Sequence, residues 1–368
     1  MCNMRYARTD NVDDSVVGEI GRVIGLAYDA LDPGIYASEI VSDVFMLPYP
    51  MHGLDAFRAR LEYIHETVGL DVIIPTLDAE LPCFIDLEPE LAARGIKTFL
   101  PTRDQLDLRQ KSQLAQLGEK SGINVPATAV CTTVDELRRV HERVPYPLFV
   151  KGVFYGATLA HNLDEAVAAF YKAVAQWGVP VVVQTLVSGE EFNVIAVGDG
   201  AGGLVGAVGM KKMLLTDKGK GWAGITVKDP ALMALAQSFM AATRWRGPCE
   251  IEVLRDRDGQ YHLIEINPRF PAWVYLSVAA GQNLPQAVVA LSQGESVKLP
   301  DYDVGTMFVR ISIDQVADIR DFQSMVTTGE VRRSEDSSRT PVVFPGREPA
   351  DASINNESLF PKREGEAS

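Results

Sequence analysis

The chain has little of what usually announces metal or redox chemistry. Its four cysteines, Cys2, Cys83, Cys131 and Cys249, lie far apart and make neither a CxxC pair nor a zinc spacing. They read as reduced, structural thiols. The five histidines, His52, His65, His141, His161 and His262, form no HxH or HExxH pattern, so neither a transition-metal site nor a histidine nucleophile relay is expected. Long apolar runs are also missing. Val181-Val182-Val183 and Val194-Ile195-Ala196-Val197 are far shorter than the roughly 20 residues that a membrane helix needs. The N-terminus carries Arg5, Arg8, Asp10, Asp13 and Asp14 where a secretory signal would have an apolar core, and the expected location is the cytoplasm. Net positive charge is lacking too: a formal charge of −14 argues against a nucleic-acid partner, whose backbone demands clustered Lys and Arg. No internal repeat is visible.

What is present is length and apolar content, 368 residues at 46% hydrophobic, enough for two or three cores. Residues 1–21 show neither alternation nor a helical stripe. Beyond them the apolar runs RVIGLAY, DVFMLPY, DVIIPTL and IKTFLP are bounded by Asp, Gly or Pro, with helical candidates around Gly53–Val68 and Pro82–Ala93. Strands alternating with helices predict βαβ units, a parallel sheet and an α/β class. Arg103–Ser121 reads as one helix, ended by Gly122. Thr133 with Glu136 three positions on has capping-box spacing. The strand LFVK ends in Lys151 and enters a loop with Gly152 and Gly156, then a helix Asp164–Trp177. Strand, lysine and glycine loop is the order of a phosphate cradle, although no GxxxxGK[ST] motif is present. VPVVVQTLV runs into SGEEFNVIAVGDG, and AGGLVGAVGMKKM is expected to continue the sheet; Pro230–Ala242 reads as a helix. Lys211, Lys212, Lys218 and Lys220 make one local basic cluster, suited to a small anion. Of Lys211 and Lys212, neighbours on a strand, only one can face inward.

The most informative stretch is CEIEVLRDRDGQYHLIEINPRF. A hairpin turning at Asp258-Gly259 sets Glu252, with Glu250 as a further candidate, beside Glu265. Glu265, Asn267 and Arg269 are spaced two apart, so alternation puts a carboxylate, an amide and a guanidinium on one face. Hard oxygen ligands so grouped suit Mg²⁺, which completes its shell with water and nucleotide phosphates. The plain alternative is an ordinary hairpin with solvated acids.

This Glu-x-Asn-x-Arg strand behind an acidic strand resembles the metal-binding core of the ATP-grasp superfamily, in the branch of carbamoyl-phosphate synthetase and biotin carboxylase. The resemblance implies an ATP-grasp fold, two α+β subdomains clasping ATP, preceded by a Rossmann-like domain. The corresponding boundaries are 1–101 for the Rossmann-like domain, 102–300 for the ATP-grasp domain with a lid near 130–186, 301–333 for a strand and helix packing on the core, and a flexible tail over 334–368. It further implies that Lys111 and Lys151 reach nucleotide phosphate, Gly156 belongs to the lid loop, Gln184 and Leu186 form the adenine hinge and Glu191 holds the ribose. Glu252, Glu265 and Asn267 would bind Mg²⁺, or Mn²⁺. Arg269, one of Lys211 and Lys212, and Arg310 after the strand VGTMFV would face the reacting groups. The resemblance also implies a homodimer joined through the N-terminal domain.

The activity so implied is an ATP-dependent ligase joining a small carboxylic acid to an amine, an amino acid or peptide among the candidates, through an acyl phosphate. A bicarbonate-activating enzyme is the second reading. It would need a partner, because no biotin-carrier or glutaminase segment is recognisable. A nucleotide-binding regulator without turnover is the third.

Overall fold

The computed structural model describes residues 3–7, 22–110, 113–152, 156–216 and 221–333. The chain opens with β1 (Asn3–Ala7), β2 (Arg22–Ala27) and β3 (Asp43–Met46), then α1 (Leu54–Val68) and α2 (Leu81–Ala93). β1 pairs with β2 antiparallel and β2 with β3 parallel. Only two of the four expected parallel strands form ladders. DVIIPTL and IKTFLP meet in a single parallel bridge, Val72 with Lys97. Pro75 and Pro101, which lack the N–H that a ladder requires, stand at their ends. The apolar faces of α1 and α2 cover this layer through Phe57, Leu61, Ile64, Phe84 and Leu87, all buried.

The expected single helix over 103–121 is two, α3 (Arg103–Leu108) and α4 (Leu114–Ser121). Thr102 and Gln105 close a reciprocal cap on α3, and Gly122 ends α4 in the left-handed region at φ 69°. Next comes a four-stranded antiparallel sheet of β4 (Thr128–Cys131), β5 (Leu148–Lys151), β6 (Ala157–Ala160) and β7 (Val181–Thr185), in the order β4-β7-β5-β6. Helices α5 (Val134–Arg138) and α6 (Leu163–Trp177) pack on it. The Thr133–Glu136 capping box forms as expected.

Between Thr185 and Gly189 the chain leaves that sheet for a larger one. β8 (Gly189–Asp199), β9 (Leu204–Leu215), β10 (Gly221–Thr226), β11 (Arg246–Asp256), β12 (Tyr261–Asn267) and β13 (Met307–Val309) form a six-stranded sheet in the order β12-β11-β8-β9-β10-β13. A Cβ on Gly189 would collide with the Arg255 carbonyl, so glycine lets the entering strand lie close. Alternation gives the sheet two different faces. Phe192, Val194, Ala196, Cys249, Ile251 and Val253 turn toward α4 and α7 (Pro230–Thr243). Ile195, Val197, Val208 and Met210 turn the other way, toward Phe270, Trp273, α8 (Tyr275–Ala279) and α9 (Leu284–Ser292). Val72, Ile74 and Phe99 of the N-terminal layer join this second core. Finally α10 (Ile319–Thr327) and β14 (Glu330–Arg332) return to the first sheet, where β14 pairs antiparallel with β3.

Candidate active site

The second face of the large sheet is apolar at one end and polar at the other. By strand alternation, Glu191 and Asn193 of β8, Lys212 of β9, Glu250 and Glu252 of β11, and Glu265 and Asn267 of β12 share it. Glu252 stands opposite Glu265, and Glu250 opposite Asn267. Just beyond Glu252 the register slips, so that Val253 faces Leu263. Such a bulge increases local twist and is common beside functional groups.

Lys212 is the cation of this group. Its ammonium donates to Glu191 at 2.8 Å and to Glu252 at 2.9 Å, and its side chain is 6% exposed. Burial pulls its pKa down, but the two carboxylates outweigh that and leave it raised. Lys211 lies on the opposite face and pairs with Glu190. Of the two candidate lysines, only Lys212 meets the acidic cluster.

Glu250 is the buried carboxylate of this group. It lies beneath, 5% exposed, accepting from Asn193 Nδ2 at 2.5 Å, Trp273 Nε1 at 2.7 Å and Asn267 Nδ2 at 3.0 Å. Burial and then the charge of Glu252 push its carboxyl pKa up. Asn267 Nδ2 also donates to Glu252 Oε1 at 2.8 Å. The oxygen donors that could hold a cation on this face are those of Glu252, Glu265 and the Asn267 amide. Among the described residues no group of three or more His, Cys, Asp or Glu side chains is gathered for a metal. Two carboxylates and an amide fit Mg²⁺, which is rarely caged by protein and draws on water and phosphate oxygens. They do not fit zinc, which wants Cys or His.

Arg269 follows directly, its backbone N–H on the Asn267 carbonyl at 2.9 Å. Its Nε donates to Asp78 at 2.8 Å, and Arg109 stands 3.5 Å from the same carboxylate. Two guanidiniums from distant parts of the sequence thus converge on one acid of the N-terminal layer. In the smaller sheet, Lys151 donates to Gln184 Oε1 at 2.6 Å, while Gln184 Nε2 donates to Thr128 at 3.0 Å. The side-chain oxygen of Gln184, expected in the adenine hinge, is thus held by Lys151. The Leu186 N–H donates to the Pro147 carbonyl at 3.1 Å. Gly156 has φ 87°, a conformation that favours glycine, and its carbonyl accepts from Gly152 at 3.3 Å, closing the base of the loop. Arg310 lies one residue past β13, over the Phe308 ring, and its Nε is buried without a hydrogen-bond partner. Lys111, Lys218, Lys220 and the tip of the glycine loop lie outside the described residues.

Sequence reasoning missed Asn193, Asp78 and Trp273. Asn193 carried a usable signal: Glu191-Phe-Asn193 repeats the Glu-x-Asn spacing of Glu265-Ile-Asn267 on another alternating strand, two places along the same sheet. Asp78 carried none, because its partner Arg269 is 191 positions away.

The described residues thus form a small antiparallel sheet with a lysine and a larger sheet whose one face groups acids with two asparagines and a lysine. Residues 178–316 match the family described as "ATP-grasp in the biosynthetic pathway with Ter operon". The chain contains an ATP-grasp family domain, homologous to the carbamoyl phosphate synthase large chain and related in fold to biotin carboxylase. It is 25% identical over 281 residues to the carbamoyl phosphate synthase large chain of Methanothrix thermoacetophila, covering 67% of this chain and 25% of that one. The chain thus spans about a quarter of the length of that relative. It is also 25% identical over 294 residues to the phosphoribosylamine–glycine ligase of Neisseria meningitidis, covering 69% of this chain and 67% of the ligase. In fold it resembles the biotin carboxylase domain dimer of Hydrogenobacter thermophilus 2-oxoglutarate carboxylase, solved with MgADP, ADP and bicarbonate. There the TM-score is 0.64 at 15% identity, covering 79% of this chain and 69% of that one. No helix among the described residues is long and apolar enough to cross a membrane.

Proposed function

We propose that the protein is an ATP- and Mg²⁺-dependent ligase that joins a carboxylic acid to an amine through an acyl phosphate. The observation that carries this reading is the single sheet face on which Glu252, Glu265 and Asn267 stand beside Lys212 and Glu191, within the region that matches the family. Phosphoribosylamine–glycine ligase, a relative by sequence, supports the ligase class.

Bound Mg²⁺ would neutralise phosphate charge and orient the terminal phosphoryl group. Glu252, Glu265 and Asn267 would hold it, and Mn²⁺ would suit the same oxygens. Lys212, held between Glu191 and Glu252, would offer its ammonium to phosphate, and Glu191 would accept from the ribose hydroxyls. Lys151 and Gln184, on the smaller sheet, approach the nucleotide from the lid side. Arg269 exchanges Asp78 for the acceptor carboxylate, which it binds as a planar fork. The carboxylate oxygen attacks the γ-phosphorus and ADP leaves; the amine nitrogen then attacks the acyl carbon and phosphate leaves with the electron pair of the broken C–O bond. Positioning and charge do the work, and no protein nucleophile is needed. The N-terminal layer, with its parallel β2–β3 pair and the Val72–Lys97 bridge, serves as the Rossmann-like domain that carries Asp78 to the site.

A second reading takes bicarbonate as the acceptor. The likeness to carbamoyl phosphate synthase and to a biotin carboxylase domain solved with bicarbonate favours it. The deciding experiment is ADP release with Mg²⁺ and ATP against pools of amino acids, other carboxylic acids and bicarbonate. Release that needs both an acid and an amine supports the ligase, and release driven by bicarbonate alone supports the second reading. Glu265→Ala and Asn267→Ala are each expected to abolish Mg²⁺-dependent nucleotide binding. Wild-type binding and turnover in both would overturn the metal assignment.

A further inference from the structure

Glu250 is the most deeply placed carboxylate in the site, and its three donors come from three separate places: β8, the turn after β12, and the end of β12 itself. The donors are divided between its two oxygens. Asn193 Nδ2 and Trp273 Nε1 both donate to Oε1, at 2.5 and 2.7 Å, whereas Asn267 Nδ2 donates to Oε2 at 3.0 Å. A carboxylate alone satisfies this pattern, because both of its oxygens accept and neither donates. Indole N–H can only donate, so Trp273 fixes which oxygen faces which partner. Asn193 and Asn267 are 2% and 9% exposed, so water has little access to compete.

We infer that Glu250 is a positioning residue: by accepting from the Asn267 amide N–H₂ it turns the Asn267 carbonyl oxygen outward, to the side on which a nucleotide-bound cation would sit. An asparagine is a metal ligand only through its oxygen, and its two ends are nearly identical in shape. Something must choose between them. Glu252 Oε1, 2.8 Å from the same Nδ2, chooses the same way while Glu252 is free, but a cation competes for that carboxylate. Glu250, buried beneath, keeps its hold whether or not a cation is bound. Partners of this kind behind a ligand change metal affinity by about 10–100-fold when removed.

This inference rests on the reading of Glu252, Glu265 and Asn267 as the metal side of the site. Its test is Mn²⁺ binding in the presence of ADP, followed by electron paramagnetic resonance, alongside ADP binding without divalent metal, followed by calorimetry. In Glu250→Gln the new amide has one acceptor and one donor end. If its oxygen keeps Trp273, its N–H₂ meets the N–H₂ of Asn267, and the Asn267 amide must turn round. Mn²⁺ affinity is expected to fall at least tenfold, with metal-free ADP affinity within twofold of wild type. The double variant Glu250→Gln/Asn267→Asp restores a donor–acceptor pair and is expected to recover most of the loss. Mn²⁺ affinity in Glu250→Gln within twofold of wild type would overturn the inference. So would equal losses in the metal-dependent and metal-free arms without recovery in the double variant, since that pattern marks a merely structural role. If Glu250→Gln does not fold, the comparison is Asn267→Asp, which sets two carboxylates against each other, with the double variant. Tighter Mn²⁺ binding by the double variant supports the inference and the reverse order overturns it. Wild-type protein that shows no metal-dependent ADP binding would fail at the earlier step, the functional reading itself.

Discussion

Lys212 holds together two acids, Glu191 and Glu252, which the proposed function gives to the ribose and the metal. Its removal takes the shared donor from both carboxylates. Lys212→Met is expected to lower kcat by about 10²–10³, the usual cost of losing one charge-stabilising donor at a reacting centre, with a smaller effect on ADP affinity. Steady-state ADP release checks this; a kcat within threefold of wild type would remove Lys212 from the chemistry. At this scale the sequence was legible wherever alternation alone fixes a face. Glu265, Asn267 and Arg269 are two apart on one strand, and a single turn at Asp258-Gly259 brings Glu252 to them. It was not legible wherever a contact joins distant segments. Asn193 reaches Glu250 across 57 positions, and nothing local marks Asp78 as the partner of Arg269. Nor does local sequence tell a buried acid from an open one: Glu250 and Glu252 occupy the same face, and only depth in the fold separates them.

Among the elements, α7 packs on the back of the large sheet, and its N-terminus is tied down by one side chain. Asp229 accepts from the Ala231 N–H at 2.9 Å and from the Tyr261 hydroxyl of β12 at 2.8 Å. Burial raises its pKa, but the Tyr261 hydroxyl and the helix N–H groups outweigh this and leave it lowered. A carboxyl with a lowered folded-state pKa is deprotonated more readily in the folded chain than in the unfolded one. Its contribution is therefore complete above the unfolded value and is lost as pH falls through the lowered folded value, below about pH 4. Asp229→Asn keeps a side chain that caps well and removes the charge. Its denaturation midpoint is expected to lie close to wild type at pH 2 and below it at pH 7, so that wild type shows the steeper acid slope. Equal slopes would show that Asp229 has no such linkage. The capped helices were the most legible elements, because caps are local: Thr133 with Glu136 and the start of α7 at Pro230 follow from neighbouring residues. Strands in the N-terminal layer were less so. DVIIPTL is apolar enough for a strand, yet pairing depends on a partner, and it finds only Lys97.

Over the whole molecule, the N-terminal layer and the large sheet share a core and are also pinned by Arg246, the first residue of β11. Its guanidinium pairs with Glu88 at 2.8 Å, donates to the carbonyls of Leu100 at 3.2 Å and Thr98 at 3.4 Å, and lies over the Phe99 ring. Arg246→Ala removes this donor from both carbonyls and leaves Glu88 with the Thr98 hydroxyl alone of the two donors to its Oε1. It is expected to cost about 1–3 kcal/mol, the range for stranding partly buried hydrogen-bonding groups. Chemical denaturation followed by two probes, one in each unit, would measure the loss. A midpoint unchanged from wild type would show that the shared apolar core suffices to hold the two units. The division into a small and a large antiparallel sheet was only partly foreseen, since VPVVVQTLV and the strand after it read as one continuous run. The change of sheet falls at Gly189, whose meaning lies in a carbonyl of the distant Arg255.

The closing of the first sheet by β14 has a consequence for how the protein is made. β3 is complete by Met46, but its neighbour on one side, Glu330–Arg332, comes almost 300 positions later. On the ribosome, the growing chain carries β3 with an open edge until the residues up to β14 have been made. Open edges are templates for wrong pairing. Holding factors that bind nascent chains have a task at Asp43–Met46, and a chain cut short before Glu330 still bears that edge.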